Sequence, residues 1–219
     1  RVLINGTHEA QWNLLSSAWS TVDDYVFPGA GGLYRLTVEA LSPDNQVLRS
    51  ASYTVVGDRS PQPVSGPISS DTTWDGTNGV YHVADNVTVG SGATLTIASN
   101  TIVAVGVNKA INVSAGGTLV LEGSAEAPVY LFPEGGTSTW SIDVSGAGGS
   151  VTGRFANLAG GRVVVGASGS LLLEDCELSL YSGTDGILAA NGGASVVVRR
   201  CIVSDYYETK FTATPTLIE

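Results

Sequence analysis

Val87-Thr88-Val89 is followed by Gly92 and then by Leu95-Thr96-Ile97, and 24 residues later Ile111-Asn112-Val113, Gly116 and Leu119-Val120-Leu121 repeat the arrangement. The pattern returns at Val163-Val164-Val165 with Leu171-Leu172-Leu173, and 25 residues further on at Leu188-Ala189-Ala190 with Val196-Val197-Val198. A weaker copy stands at Ile142-Asp143-Val144. Each unit is two or three short alternating strands broken by Gly, Ser or Asn, and a period of 21 to 31 residues is the length of one coil of a β-solenoid. Alternation sends every second side chain inward, so each coil adds Val, Ile or Leu to a continuous interior stack. Leu95, Leu119, Leu171 and Val196 are expected to share one interior column. A leucine-rich repeat of similar length needs a helical or Asn-marked return segment, and these units have neither.

The rest of the chain agrees with an all-β protein. Of 219 residues, 43% are apolar and only 14% charged, while 28 are glycine, which suits short strands and tight turns. That apolar share is enough for a sizeable core and argues against disorder. Twenty acidic against ten basic residues give a net charge of −10, which repels phosphate backbones, so no nucleic-acid partner is expected. No apolar run reaches the ~18 residues of a membrane span, and the N-terminus lacks the layout of a signal peptide, so no membrane insertion is expected. The chain starts at Arg1 and has no methionine, which reads as a piece of a longer polypeptide.

Upstream of the repeats, Leu33 to Leu41 and Val47 to Val56 are β-rich and flank the turn Ser42-Pro43-Asp44-Asn45, which predicts a hairpin. A second strand pair is expected from Arg1 to Ile4 and Gln11 to Leu15 around Asn5-Gly6. Two prolines mark Gly57 to Val64, so the domains are read as 1–57, a linker at 58–65, and 66–219.

Two resemblances follow from these segments. Gly31-Gly32-Leu33-Tyr34-Arg35-Leu36-Thr37-Val38 resembles the penultimate strand of immunoglobulin-like and fibronectin-III-like sandwiches, in which a Tyr near the strand start ties down a corner. Residues 1–57 fall short of the ~100 of a full sandwich, so the resemblance implies a partial or reduced one; an unclassified hairpin cap is the alternative. Asp71-Thr72-Thr73-Trp74, Tyr81-His82-Val83 and Val87 to Ile97 resemble the opening coils of right-handed parallel β-helix modules of bacterial secreted and surface proteins. Gly117-Thr118-Leu119 and Gly123 to Leu131 look like the next coil of that family. The likeness covers roughly residues 66 to 205 and implies a right-handed single-stranded parallel β-helix in a secreted or cell-surface setting. It implies no particular activity, because the fold carries lyases, hydrolases, adhesins and inert stalks.

Carbohydrate-cleaving chemistry needs carboxylates paired across neighbouring coils, or carboxylates holding calcium beside an arginine. Asp143, Asp185 and Asp205 fall at unrelated coil phases, Asp23-Asp24 lies in the other domain, and the only histidines are His8 and His82. No catalytic residue, cofactor or metal is therefore expected. The acidic run Glu174-Asp175-Cys176-Glu177 is followed one period later by Arg199-Arg200-Cys201. Glu174 is expected over Arg199 and Asp175 over Arg200, as a structural charge ladder. Cys176 and Cys201 then stack within disulfide range, yet stacked cysteines serve as small apolar fillers, so two reduced core thiols are expected rather than a disulfide, and no nearby base marks either as a nucleophile. Asn5, Asn86 and Asn112 sit in sequons at a frequency chance alone supplies.

The outward columns are candidate contact surfaces. Thr94, Thr118, Ser170 and Ser195 form a hydroxyl column, but Thr96, Val120, Leu172 and Val197 turn apolar, which makes a poor ice-ordering lattice and a better packing surface. Thr88, Asn112 and Asp143 likewise give way to Val164 and Ala189. A covered face around Val164, Leu172 and Val197 is expected, with the tail from Tyr206 to Glu219 and its Phe211, Leu217 and Ile218 as first choice of cover. The expected function is a non-catalytic structural or adhesive module, a rigid stalk or display platform, whose partner is the remainder of a longer parent chain. A polysaccharide-binding or -processing module is the rival, with Trp74, Tyr81, Tyr130 and Trp140 as contact aromatics unless they plug a coil end or pack in the core. Self-association through an uncapped solenoid end is a third reading.

Overall fold

A computed structural model describes residues 2–4, 7–10, 32–57, 61–134, 139–179, 188–204 and 217–218. The chain divides into two compact units, Arg1–Ser60 and Pro61–Glu219.

The first unit is a four-stranded antiparallel sheet of β1 (Val2–Ile4), β2 (Thr7–Ala10), β3 (Gly32–Leu41) and β4 (Val47–Gly57), in the order β2-β1-β3-β4. β3 and β4 form the expected hairpin. Asn45 donates to the Ser42 carbonyl at 2.9 Å and takes φ 63°, a conformation Asn tolerates better than most residues. β1 pairs with Thr7–Ala10; Gln11 to Leu15, the expected partner, lies outside the described residues. A short connection is enough because antiparallel neighbours need only a tight turn.

The second unit is a parallel β-solenoid of about five turns. It opens with β5 (Gln62–Ile68), β6 (Thr72–Trp74), a single 3-10 turn at Gly76–Asn78, and β7 (Val80–Val89). β8 (Thr94–Ala98), β9 (Ile102–Val105), β10 (Ala110–Val113), β11 (Thr118–Glu122) and β12 (Val129–Pro133) follow. Then come β13 (Trp140–Val144), β14 (Ser150–Arg154), β15 (Ala156–Ala159), β16 (Gly161–Val165), β17 (Ser170–Glu174) and β18 (Glu177–Ser179). The described strands end with β19 (Leu188–Ala190), β20 (Ser195–Arg199), β21 (Ile202–Ser204) and β22 (Leu217–Ile218).

Three faces result. The first stacks the second half of β5, the second half of β7, β10, β13, β16 and β19. The second stacks β6, β8, β11, β14, β17, β20 and β22, and the third the first half of β7, β9, β12, β15, β18 and β21.

Strand alternation fills the interior as expected. Leu95, Leu119, Val151, Leu171 and Val196 are register partners in one column on the second face, and all are buried. Val151 belongs to the coil that opens with the weaker copy at Ile142-Asp143-Val144, and its second-face strand is the one the sequence pattern skipped: the 52 residues from Leu119 to Leu171 span two inter-coil steps. The skipped strand reads Ser-Val-Thr-Gly-Arg, with Gly153 where its neighbours carry Leu121 and Leu173. Leu173 fills that gap, since a Cβ at Gly153 would fall 2.7 Å from Leu173 Cδ2.

Corners between the first and second faces are tight turns in which residue i+3 donates to residue i. Gly117 donates to Ser114 at 2.9 Å and Ala194 to Asn191 at 3.0 Å. The position before the donor needs φ > 0, supplied by Gly116 (φ 71°) and Gly193 (φ 83°), whereas Ser168 occupies it at φ 63° with a side chain. In the last three described coils the corner between the second and third faces is one left-handed residue: Phe155, Asp175 and Arg200 have φ 47°, 53° and 53°. That residue puts two successive side chains outward and turns the strand onto the next face.

Two expectations are corrected. The stretch 58–65 is not a linker throughout, because β5 begins at Gln62 and pairs with β7; its prolines, which lack an N–H, are accommodated on an edge strand with a bulge at Gly66, φ 80°. Val164 does not share a face with Leu172 and Val197: it lies on the first face and they lie on the second. Thr152 also interrupts the apolar drift from Val120 to Leu172. Of the tail, Leu217–Ile218 adds a strand edge-to-edge with Val197–Val198. Backbone pairing rather than coverage is what the described part of the tail provides, and Phe211 lies outside the described residues.

Leu119→Ala is expected to cost about 2–5 kcal/mol of unfolding free energy, against less than about 1 kcal/mol for the outward, half-buried Val120→Ala. Chemical denaturation of the two variants checks this, and equal losses would contradict the inward–outward assignment.

Candidate functional site

At the corner entering the first face lies an open depression of about 390 Å³, lined by Asn108, Lys109, Thr139, Trp140, Ser141, Asp143 and Arg162. Strand register builds it. Ser141 pairs with Ala110 above and Arg162 below, and Asp143 sits between Asn112 and Val164, so polar side chains from three coils come together. The backbone is tied by Asn108 N–H to Thr139 O at 2.9 Å and Ser141 N–H to Lys109 O at 3.1 Å. Thr139 Oγ1 donates to Asn108 Oδ1 at 3.3 Å, and Ser141 Oγ donates to Asp143 Oδ2 at 2.9 Å. Lys109 Nζ reaches Asp85 Oδ1 at 3.0 Å, and this partner lowers the Asp85 carboxyl below its ordinary value.

Trp140 forms the buried floor. Its Nε1 donates to Ala159 O at 2.9 Å, and its ring lies so close over Gly161 that a Cβ there would sit 2.3 Å from Cζ2. Only glycine fits opposite this indole.

The expected contact aromatics are placed otherwise. Trp74, Tyr81 and Trp140 are 5%, 3% and 2% exposed, so they present no ring face to a glycan. Trp74 and Tyr81 stack on each other with centroids 5.1 Å apart, and Tyr81 OH accepts from Asp75 N–H at 3.2 Å and Asn78 Nδ2 at 3.1 Å. Aromatic pairing in an apolar interior explains their burial. Tyr130 is half-buried on the third face, remote in register from Trp140 on the first.

The charged corner lies between the second and third faces. Glu174 pairs in register with Arg199 and bonds its guanidinium, while Arg200 holds Asp175 through Nε at 2.7 Å and Nη2 at 2.9 Å. The hydrogen bond from Arg200 lowers the Asp175 carboxyl, with help from the charges of Arg200, Arg154 and Arg199. Cys176 and Cys201 are free thiols just inside this corner. Cys176 is pushed far up by its hydrogen bond to Cys201 and by burial; Cys201 is lowered to about 7 by the hydrogen bond from Cys176 and by backbone donors.

Of the carboxylates weighed in the sequence, Asp143 lies in the depression, on the first face, and Glu174 with Asp175 lies at the opposite corner. Asp185, Asp205 and Asp23-Asp24 lie outside the described residues. Among the described residues there is no cluster of three or more metal-ligating side chains, and no helix long and apolar enough to cross a membrane. Lys109, Arg162, Asn108, Thr139 and Ser141 were missed in the sequence because they flank connections of unequal length. The 21-residue offset that pairs Ser141 with Arg162 was their one signal.

Fold and corner chemistry define a parallel β-solenoid with an antiparallel N-terminal sheet. Compared with protein-family models, curated proteins and solved structures, the chain shows no significant match.

Asp175 contributes stability above its ordinary pKa near ~3.9, and that contribution is lost as pH falls through its lower folded value. Arg200→Ala should therefore melt below the parent at neutral pH, with the gap closing between about pH 4 and pH 2. Melting curves across that range check it; a gap independent of pH would contradict the pairing.

Proposed function

We propose that this chain is a non-catalytic structural module, a rigid spacer or display platform, within a longer exported bacterial surface protein. The N-terminal sheet is read as a partial immunoglobulin-like or fibronectin-III-like element, on the likeness of Gly31 to Val38 to such strands. The observation that carries the reading is the in-register interior. Every coil rests on the next through both backbone hydrogen bonds and stacked aliphatic side chains, an arrangement that resists bending and extends a surface by about 4.8 Å per coil. Few charges and a net negative balance suit a solvated exported surface.

The depression beside Trp140 favours a second reading, recognition of an acidic polysaccharide. Lys109 and Arg162 offer cations, and Asn108, Thr139, Ser141 and Asp143 offer hydrogen bonds to hydroxyls. A glycan array and pull-down on insoluble polysaccharides separate the two. The structural reading expects no retention; saturable binding lost in Lys109→Ala would replace it with the glycan reading.

A further inference from the structure

We propose that Cys176 and Cys201 are a redox-closable pair, which a small-molecule disulfide converts into an intrachain disulfide that staples neighbouring coils of the solenoid. The two residues hold the same corner position one coil apart. Glu177 and Ile202, which follow them, are register partners, and Ile202 donates its N–H to Cys176 O at 2.9 Å. Parallel strands about 4.8 Å apart place such neighbours within the Cα separation that a disulfide spans.

The side chains are disposed alike. Cys176 Sγ lies 3.2 Å from Glu174 O and Cys201 Sγ lies 3.3 Å from Arg199 O, each on the carbonyl two residues back. The Cys176 amide N–H also points at Cys201 Sγ, at 3.4 Å. Register, depth and direction thus all bring the second sulfur up to the first residue.

Exposure sets the order of attack. Cys176 is buried, whereas Cys201 is partly accessible and flanked in sequence by Arg199 and Arg200. Its lowered thiol supplies thiolate at neutral pH. The Cys201 thiolate attacks one sulfur of the small disulfide, forming a mixed disulfide and releasing one small thiolate. Cys176, losing its proton to that thiolate, then attacks Cys201 Sγ and expels the second small thiolate, which takes from solvent the proton that Cys201 gave up on ionising. Two protein thiols are oxidised and one small disulfide is reduced to two thiols.

The staple falls at a coil whose interior is more open than that of the coils before it. In the third-face interior column Val103, Leu131, Leu158 and Leu178 are buried, but the last member, Val203, is 39% exposed and its neighbour Ile202 64%. A disulfide between residues 25 apart in sequence would hold this coil to the one before it.

The test uses the whole chain, native and monomeric, titrated with oxidised glutathione. Free thiols should fall from two to none with a mass loss of two hydrogens, one proteolytic peptide pair should join Cys176 to Cys201, and the melting temperature should rise and return on reduction. Cys176→Ser should instead accumulate a glutathione adduct at Cys201, while Cys201→Ser should leave Cys176 unmodified in the folded state. Two thiols that stay titratable in excess oxidant, linkage between two chains, or faster reaction at Cys176 would overturn the proposal.

Discussion

The ladder of backbone hydrogen bonds between successive coils is the constraint on which the rest depends. Parallel pairing with no net slippage, as in β8-β11-β14-β17-β20, puts residue on like residue, so a choice of side chain at one position is repeated or compensated one coil later. The apolar columns follow from this. So do the stacked turns, in which Gly92 donates to Gly116 O and Ser168 to Gly193 O, and the corner at which Glu174 meets Arg199 and Asp175 meets Arg200.

The same constraint explains where the solenoid departs from repetition. Loss of a side chain at Gly153 is taken up by Leu173 from the neighbouring coil, and the bulk of Trp140 is matched by the glycine at 161. Connections of unequal length are confined to corners, where the chain can lengthen without disturbing register. The polar depression forms at one such corner, between the strand ends around Asn108 and Thr139.

The coil repeat, the interior column and the charge ladder were legible in the sequence because each rests on a local pattern recurring at a nearly fixed offset. The coil through Val151 was legible only in its first strand, Ile142-Asp143-Val144, since Ser-Val-Thr-Gly-Arg lacks the apolar triplet its neighbours carry. The edge strand Gln62–Ile68 was hidden by its prolines, which signal a linker in isolation and are admissible only because one side of the strand is unpaired. Assigning Val164, Leu172 and Val197 to one face failed for a different reason. A tight turn after Val165 sends the chain to another face, and outwardness alone does not say which face a residue is on. Burial of Trp74, Tyr81 and Trp140 could not be read from residue type, because an aromatic ring serves a core or a ligand equally well until its neighbours are known.

The distance between spin labels at Thr94 and Ser195 tests the stacked register most directly. These outward positions on the second face are separated by four inter-strand steps, through Thr118, Ser150 and Ser170. Pulsed dipolar spectroscopy should return one narrow distribution centred near ~19 Å, four spacings of about 4.8 Å. A broad distribution, or a centre beyond about 30 Å, would mean that the coils do not stack and would contradict the solenoid at its foundation.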